Sequence, residues 1–254
     1  MSKLVWDVIG EHYYETGTDH GVLFVKKPAG QTGYEAGVAW NGLTAVTESP
    51  SGADVSDQYA DNIKYLSLRA AETFGGTIEA FTYPDEFAVC DGSFAIEPGV
   101  VIGQQSRRPF AFSFRTKVGN DTAGDELGYK LHIVYNATAS PAERSYATVN
   151  DSPEPITLSW EFDTTPVAFA NDAYKPTALI TIDSTKADAT KLAQLEALLY
   201  GTENSESSLP TPDEVIAIFA GKGGTGGTGG TSGTGGTGGT GGTSGTGTGS
   251  TGTP

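Results

Sequence analysis

The chain has 254 residues, of which 15 are lysine or arginine and 31 are aspartate or glutamate, so its net charge is −16, and it has one cysteine. A single cysteine excludes an internal disulfide framework and a cysteine-based metal cluster. A surface this acidic disfavours ordinary nucleic-acid binding, and it also keeps a concentrated protein soluble. No window holds the roughly 18 apolar residues of a membrane span, and residues 1–6 lack the pattern of a signal peptide, so we expect a soluble protein that is not exported.

Alternation of apolar and polar residues predicts half-buried β-strands along much of the chain. The clearest predicted strands are Gly21–Lys26, Thr77–Tyr83, Pro109–Lys117, Tyr129–Tyr135, Ile156–Asp163 and Thr177–Ile182. Turn-rich segments separate them, with no strand–helix–strand rhythm. We therefore expect an all-β fold, an antiparallel sandwich or barrel whose strands have one side on a core and the other on solvent or a partner.

The polar sides of three predicted strands carry residues that are candidates for a shared, wet surface. These residues are Thr157, Ser159, Glu161, Arg115, Lys117 and Lys130. Each alternates with aromatic or aliphatic residues of its own strand. The alternation does not decide which polar side would face such a surface.

The segment Leu43–Tyr65 is apolar at its ends but polar and acidic through its middle. Long connections without secondary structure are uncommon in a compact domain unless they are functional. Nothing in this one indicates catalysis, so we expect it to contact another subunit.

The sequence has little equipment for catalysis. It has no G-x-S-x-G, H-E-x-x-H or Walker motif, and Cys90 is interpreted as a small apolar residue. The acidic segment Asn120–Glu126 lacks the spacing of a calcium loop and is predicted to be a hairpin turn with solvated charges. Carboxylates near Cys90, at Asp85, Glu86 and Asp91, form no recognisable acid–base pair. We expect no catalytic site, no cofactor and no metal.

A helix is predicted at about 187–200, because leucines recur there at helical spacing and Gly201 follows in the position of a helix-ending glycine. The short apolar run Val215–Phe219 is predicted to be a last strand. Residues 223–254 hold only glycine, threonine and serine with a terminal proline, a composition typical of a flexible coil. We therefore expect one β-domain over residues 1–222 with a flanking helix, followed by a flexible tail.

Eight blocks of sequence, in a fixed order, resemble a known family. The blocks are WNGLTAVTESPSG (40–52), YADNIKY (59–65), GGTIEAFTYPDEF (75–87), CDG (90–92), FRTKVGND (114–121), GYKLH (128–132), RSYATVNDSPEP (144–155) and WEFDTTPV (160–167). Taken together they resemble the major tail proteins of siphophages and prophages of Gram-positive bacteria. The resemblance covers most of residues 1–222, and the ordered series is far more specific than any single block.

The resemblance implies a tail-tube fold, with two packed antiparallel sheets and a flanking helix. Six subunits of such a family form a ring whose inner sheets join into a continuous β-barrel, and stacked rings form the tube that carries phage DNA. An extended loop grips the neighbouring ring, and the match places that loop at Ser49–Asp61. Its candidate contact residues are Ser49, Pro50, Asp54, Asp57, Tyr59 and Asp61. The polar strand residues named above become candidates for the wall of the lumen.

The resemblance also implies partners and a location. The partners are further copies of the chain, the tape-measure, terminator and distal tail proteins at the tube ends, and DNA that passes without specific binding, with no membrane involved. The location is the virion tail, after assembly in the cytoplasm of the host bacterium. N- and C-terminal arms often add contacts between rings in this family. Some relatives carry an immunoglobulin-like module at the C-terminus, and this chain departs from them in its Gly/Thr-rich tail.

Two other classes of protein remain open on the residues alone. One is a cell-surface or carbohydrate-binding β-sandwich, which exposed aromatic side chains lining one groove would favour. The other is a hydrolase with an acidic site, which would need two convergent carboxylates in a deep cleft.

Overall fold

The computed structural model describes residues 3–148, 151, 154–170 and 174–220. Its strands are β1 (Tyr14–Val25), β2 (Val38–Trp40), β3 (Leu43–Glu48), β4 (Ser51–Gly52), β5 (Val55–Ala60), β6 (Ile63–Arg69), β7 (Glu72–Thr73), β8 (Gly75–Ala80), β9 (Phe94–Glu97), β10 (Val100–Ile102), β11 (Phe110–Asn120), β12 (Gly124–Ala139), β13 (Leu158–Thr164) and β14 (Leu179–Asp183). Its helices are a 3-10 helix (Asp85–Val89), α1 (Ala189–Tyr200) and α2 (Pro212–Ala220).

The predicted all-β class with a flanking helix is confirmed, and each of the six predicted strands overlaps an observed strand, although β1 begins seven residues and β12 five residues before the predicted start. None of the helices in the described part of the chain is long and apolar enough to cross a membrane. The predicted flexible tail, residues 223–254, lies outside the described residues.

The main sheet is antiparallel and has the strand order β2-β1-β11-β12-β13-β8-β3, with β14 also paired to β12. It curls so that its two ends approach each other. Trp40, on β2 at one end, packs against Trp160 on β13 with ring centroids 5.7 Å apart. Gly21 on β1 leaves space for Leu43 on β3, because a Cβ at Gly21 would lie 2.5 Å from the Leu43 side chain. The predicted sandwich or barrel is therefore built from one continuous curled sheet.

The curl depends on β12, which changes partner along its length. Its middle residues, from Lys130 to Val134, pair with β14, and its last residues pair with β13 from Ala137 onward. Asn136, at the changeover, has a φ of 48°, which interrupts the regular pleat. Its side chain accepts a hydrogen bond from the Lys26 ammonium at 3.0 Å, so a local polar contact holds the irregular backbone.

The inner, concave side of the sheet encloses an aromatic core. Trp40, Phe87, Phe110, Phe112 and Trp160 are all buried there, and their rings meet in edge-to-face contacts that favour aromatic packing. The strands of both ends of the sheet contribute to this core. Its burial provides the main stabilisation of the curled sheet.

A second core lies on the opposite side of β1, β11, β12 and β14. Leu131, Ile133 and Tyr135 of β12 face this side and pack against the helices through Leu195 and Leu199 of α1. The expectation that each strand has one side on solvent or a partner is therefore wrong for these central strands. Both of their sides are covered, because the two helices fold back over them.

Helix α1 begins where its sequence provides a cap. The Asp188 carboxylate accepts hydrogen bonds from the backbone N–H groups of Thr190 and Lys191, both at 3.0 Å, so the helix begins at Ala189. It ends at Gly201, whose φ is 76°. The predicted helix at 187–200 is thus confirmed.

The predicted last strand at Val215–Phe219 is wrong, because these residues belong to α2. Thr211 caps this helix: its hydroxyl accepts a hydrogen bond from the Glu214 N–H at 3.3 Å, and the Glu214 carboxylate accepts one from the Thr211 N–H at 2.7 Å. This is a capping box, and Pro212 occupies the first helical position, where its missing N–H costs nothing. Local capping therefore selects a helix for an apolar run too short for periodicity to assign.

The segment Leu43–Tyr65, expected to be a loop without secondary structure, is also different. It contains β3, β4, β5 and the start of β6. Its polar middle satisfies its backbone by pairing with the residues that follow it in the chain. The strand β5 can be recognised only together with β6, the strand with which it pairs.

Candidate assembly surfaces

A long β-ribbon extends from the main sheet between β3 and β8. It leaves through β4 and β5, turns at Asp61 and Asn62, and returns through β6 and β7. Both turn residues have positive φ, 51° and 61°, as a two-residue type I′ hairpin requires. Residues Ser51–Thr73 are called the arm below.

The arm has almost no core of its own. Every residue of β5 and β6 is exposed. The exposed apolar side chains are Val55, Tyr59, Ile63, Tyr65, Leu66 and Leu68, with Tyr59 72% and Tyr65 68% exposed. An isolated two-stranded hairpin is only marginally stable in water, and apolar side chains exposed together mark an interaction surface. The arm is therefore suited to bury these side chains against a partner.

The predicted contact residues lie along the outgoing half of this ribbon. Ser49 and Pro50 join β3 to the arm, Asp54, Asp57 and Tyr59 lie along its outgoing strand, and Asp61 is in the turn. The predicted loop is thus one half of a ribbon. The returning strand β6 was missed, although the Asp61–Asn62 pair followed by a run rich in apolar and aromatic residues is a turn-and-strand signal that could have found it.

Polar contacts across the arm hold its two strands in register. The Asp57 carboxylate accepts a hydrogen bond from the Ser67 hydroxyl at 2.6 Å and lies 2.8 Å from the Lys64 ammonium. The hydrogen bonds from Lys64 and then Ser67 hold the pKa of Asp57 below its usual value. Asp57 therefore has a structural role within the arm.

The root of the arm is tied to the central strand of the sheet. Ser49 donates its N–H to the Gly75 carbonyl at 2.8 Å. The Glu48 carboxylate lies 3.0 Å from Nδ1 of His132, whose nearly buried ring stacks on Phe114 with centroids 4.6 Å apart. Because His132 lies on β12, these contacts set where the arm begins relative to the main sheet.

Within the described residues, neither α1 nor α2 packs on the outer face of β3, β8 and β13. Both helices pack on the other half of the sheet. Ser159 and Glu161 lie on this outer face, opposite the core residues of the same strand, and Thr157 is exposed immediately before the strand begins. Across the sheet, Ser159 pairs with Glu79 and Glu161 pairs with Thr77. This surface, called the uncovered face, is polar and acidic.

The basic candidates do not share the uncovered face. Arg115 lies beneath α1, where it is 17% exposed. Its Nε donates to the Asp19 carboxylate at 3.1 Å, and its guanidinium lies 3.7 Å from the Glu196 carboxylate. Arg115 therefore serves to join the sheet to the helix.

Lys117 and Lys130 are also separated from one another. Lys117 lies on the same side of β11 as Arg115, and its ammonium is 3.1 Å from the Asp125 carboxylate. Lys130 is on the opposite side of the sheet, beside Thr116, and is paired with Glu15. The six predicted polar residues thus fall on different surfaces, and the uncovered face holds Ser159 and Glu161.

A second exposed ribbon is formed by β9 and β10 and was not predicted. Its turn is at Pro98 and Gly99, and Gly99 has a φ of 81°. The exposed apolar side chains of this ribbon are Phe94, Ile96, Val100, Val101 and Ile102. The signal in the sequence was a Pro-Gly turn between two short apolar runs. Residues Phe94–Ile102 are called the small ribbon.

An apolar groove lies between β14 and α2 and has a volume of about 460 Å³. It is lined by Phe169, Tyr174, Lys175, Thr177, Leu179, Ile180, Ile182, Val215, Ile216 and Phe219. Lys175 is the one charged side chain among these lining residues. This feature is called the β14–α2 groove.

The segment before β1 contacts the β11–β12 hairpin through Gly10. Gly10 donates its N–H to the Asp121 carboxylate at 2.9 Å, and Asn120 donates to the Gly10 carbonyl at 2.8 Å. The hydrogen bond from Gly10 helps hold the pKa of Asp121 below its usual value. The predicted hairpin turn at Asn120–Glu126 is confirmed by the pairing of Asn120 with Gly124.

Of the acidic residues near Cys90, Asp91 is engaged in structure, whereas Asp85 and Glu86 are exposed. Asp91 is nearly buried, with the Arg107 guanidinium 3.8 Å away and Arg144 in direct contact. Arg144 also lies over the ring of Tyr83. Cys90 is fully buried, as its interpretation as an apolar residue predicts. This cluster joins the coil after β12 to the core.

Exposed aromatic side chains in the described residues lie on separate elements. Trp6 precedes β1, Tyr59 and Tyr65 are on the arm, Phe94 is on the small ribbon, and Tyr174 borders the β14–α2 groove. Tyr13 and Tyr14 are exposed as well, and these two rings line one pocket beside Glu15 and Lys130.

No protein-family model and no curated protein matches the sequence. Three solved structures resemble part of the fold. The baseplate of the anti-feeding prophage has 7% identity over 72% of this chain and 99% of the other, with a TM-score of 0.33. The sheath–tube complex of an extracellular contractile injection system has 14% identity over 70% and 94%, with a TM-score of 0.28.

The third structure is the tube-terminating cap of the anti-feeding prophage, with 11% identity over 72% of this chain and 96% of the other and a TM-score of 0.28. Scores of this size describe a partial overlap of chain paths. The functional proposal therefore rests on the surfaces of the chain itself and on its sequence blocks.

Proposed function

We propose that this protein is the tail-tube subunit of a bacteriophage, a structural protein and not an enzyme. Copies assemble into hexameric rings, and the rings stack into the tube through which DNA leaves the virion. The observation that carries the proposal is the arm, which exposes a set of apolar side chains on a ribbon that pairs only with itself.

The energetics of the arm favour docking against a partner. Ordering a residue costs about 1–2 kcal/mol of backbone entropy, and the exposed strands of the arm recover little of this by burial. Transfer of one aliphatic or aromatic side chain out of water contributes about 1.5–3 kcal/mol. Docking the apolar side chains of the arm on another subunit therefore offsets the cost of holding it in place.

The sequence resemblance supports the same role. The stretch for which it predicts the contact between rings, Ser49–Asp61, falls on the arm and its root. The ordered blocks favour a siphophage or prophage of a Gram-positive host. They also favour assembly in the host cytoplasm and contacts with tape-measure, terminator and distal tail proteins at the ends of the tube.

The uncovered face is the proposed wall of the lumen. It carries Glu79 and Glu161 and pairs hydroxyl residues with them across the strands. An acidic wall repels the DNA phosphates and lets the polymer slide without adhering. Strand β3 ends the described sheet with no strand paired to its outer edge, which would let the sheet continue into a neighbouring subunit.

The experiment that tests this function is removal of the arm. Residues Ser51–Thr73 are replaced by a short glycine-containing turn, so that β3 and β8 remain paired. We expect the variant to fold, with a β-type circular dichroism spectrum and a cooperative unfolding transition, and to remain a monomer by sedimentation. The wild-type chain should form rings or hollow tubes in negative-stain micrographs at raised concentration.

The matched control keeps the arm and changes only its turn. Asn62→Gly preserves the positive φ that a type I′ turn needs, so this variant should form tubes as the wild type does. Normal tubes from the deletion variant would refute the role of the arm. A wild-type chain that stays monomeric and binds glycans would favour a carbohydrate-binding module instead.

A further inference from the structure

The small ribbon is a second projection with exposed apolar side chains, and the proposed role of the arm gives it no function. Its two strands pair with each other, and its main contact with the body is with the 3-10 helix that precedes it. Ile96 is 58% and Val101 57% exposed, and all seven residues of its strands are exposed. A ribbon this short cannot bury its own side chains, so its apolar residues are available to another surface.

The β14–α2 groove has the complementary properties. It is concave, and its lining is aliphatic and aromatic apart from Thr177 and Lys175. The space over this lining is about 460 Å³ and opens broadly to the surface, so it is accessible to an apolar projection from another molecule. No residue of the small ribbon lines the groove of its own subunit, so the two surfaces are separate features of one chain.

The charges of the two surfaces also match. Glu97 stands at the turn of the small ribbon, next to Pro98 and Gly99. Lys175 is the charged residue of the groove lining. In a chain with a net charge of −16, a lysine at the rim of an apolar groove favours an occupant that carries a carboxylate.

We propose that the small ribbon of one copy docks in the β14–α2 groove of a second copy. Ile96 and Val101 supply apolar side chains to the groove, and Glu97 pairs with Lys175 at its rim. This inference rests on the proposed function, because it names a contact within the same self-assembly.

The geometry of such a contact determines the type of assembly. The ribbon and the groove are different patches, so each copy offers a ribbon to one neighbour and a groove to another. A head-to-tail contact of this kind closes into a ring or continues as a helix, whereas a self-complementary patch gives a dimer. The docked ribbon therefore belongs to a contact that repeats from subunit to subunit.

A charge exchange tests the pairing. Glu97→Lys and Lys175→Glu each place like charges together, and we expect each to raise the critical concentration for tube assembly by about two- to five-fold, in line with an exposed ion pair. The double variant restores the pair and should return the critical concentration to that of the wild type. Light scattering against concentration, with negative-stain microscopy, measures it.

Glu126→Lys, on the exposed β11–β12 hairpin, is the matched control for net charge and should assemble as the wild type does. If both single variants assemble at the wild-type concentration while wild-type tubes form, the docking proposal is wrong and the tube function stands. If the wild-type chain does not assemble at all, both are wrong. The failures are thus distinguishable.

Cysteine cross-linking tests the contact without relying on charge. Val101→Cys is prepared in one sample and Tyr174→Cys in another, and native Cys90 is buried and does not interfere. Oxidation of the mixed assembly should give a disulfide-linked dimer that contains one chain of each kind. Cross-linking of Val101→Cys chains to one another, or none in well-formed tubes, would overturn the proposal, and Glu126→Cys replaces Tyr174→Cys in the control.

Discussion

Burial keeps the thiol of Cys90 in its unreactive, protonated form. It is completely buried in the aromatic core beside Phe87. Burial raises the pKa of its thiol to about 12, despite the opposing attraction of the Arg108 guanidinium. The thiolate is the reactive form, so we expect the native subunit to resist a disulfide reagent such as DTNB at pH 8 and to react fully once unfolded in guanidinium.

The control for this prediction is an exposed cysteine on the same chain. Ser67→Cys, on the arm, should react with the reagent within the mixing time while Cys90 remains protected. A native Cys90 that reacts as fast as the Ser67→Cys thiol would contradict the burial described for the core.

Single residues also show what alternation in the sequence can and cannot predict. The pattern placed Arg115 opposite the phenylalanines of its strand, and the structure has it there. The pattern could not show that Glu196 of α1 would approach Arg115 to within 3.7 Å. That contact depends on how a distant helix folds back, which no local periodicity encodes.

At the scale of an element, we expect α1 to be stabilised mainly by the leucine side chains that it packs against the sheet. Leu195 is fully buried against the sheet, whereas Leu198 on the same helix is 39% exposed. We expect Leu195→Ala to lower the free energy of unfolding by about 2–5 kcal/mol, since it removes buried methyl groups and leaves a cavity. Guanidinium denaturation followed by tryptophan fluorescence measures the loss.

Leu198→Ala is the matched control, because it changes the same residue type within the same helix. Its effect should stay within about 1 kcal/mol, since much of the removed surface is already in water. Equal losses for the two variants would mean that α1 does not pack on the sheet through Leu195.

The helices and ribbons differ in the sequence feature that predicts them. The leucine spacing and Gly201 made α1 visible in the sequence. The signal for α2 was the Thr211–Glu214 capping box, which outweighs the β-preference of the valine and isoleucines that follow. For the arm and the small ribbon, the predictive features were turns, and the partner strand of each is visible only once the turn is recognised.

At the scale of the whole molecule, the uncovered face should control how the tube treats DNA. Replacing Glu79 and Glu161 together by lysine turns a repelling wall into an attracting one. We expect tubes of this double variant to retain short DNA that is protected from nuclease and released by raised salt, because the attraction is to phosphates. Co-sedimentation of labelled DNA with the tubes measures the retention.

The control carries the same change in charge on another surface. Glu126→Lys with Asp125→Lys alters the exposed β11–β12 hairpin, and any DNA that these tubes bind should remain open to nuclease. Equal protection in the two variants would show that the uncovered face does not line the lumen.

The fold class could be predicted from the sequence, but the order in which the strands pair in the sheet could not. Alternation predicts that the chain is all β, and the ordered blocks predict which family it resembles. The single curled sheet depends on β12 exchanging β14 for β13 around Asn136. Asparagine tolerates a positive φ. The sequence near Asn136 does not show, however, that β12 changes its partner there, because that depends on the pairing of strands remote in the chain.

The self-contained pairing of the arm has a kinetic consequence. Its strands β5 and β6 bond to each other and to no strand of the main sheet, so the arm can open and close as a separate cooperative unit while the sheet stays intact. We therefore expect the arm of a free subunit to fluctuate and to lose this conformational entropy only when a neighbouring subunit binds it. In the proposed assembly, we expect such an arm to make nucleation slow relative to growth, since two free subunits offer few acceptor sites and the end of a growing tube offers several.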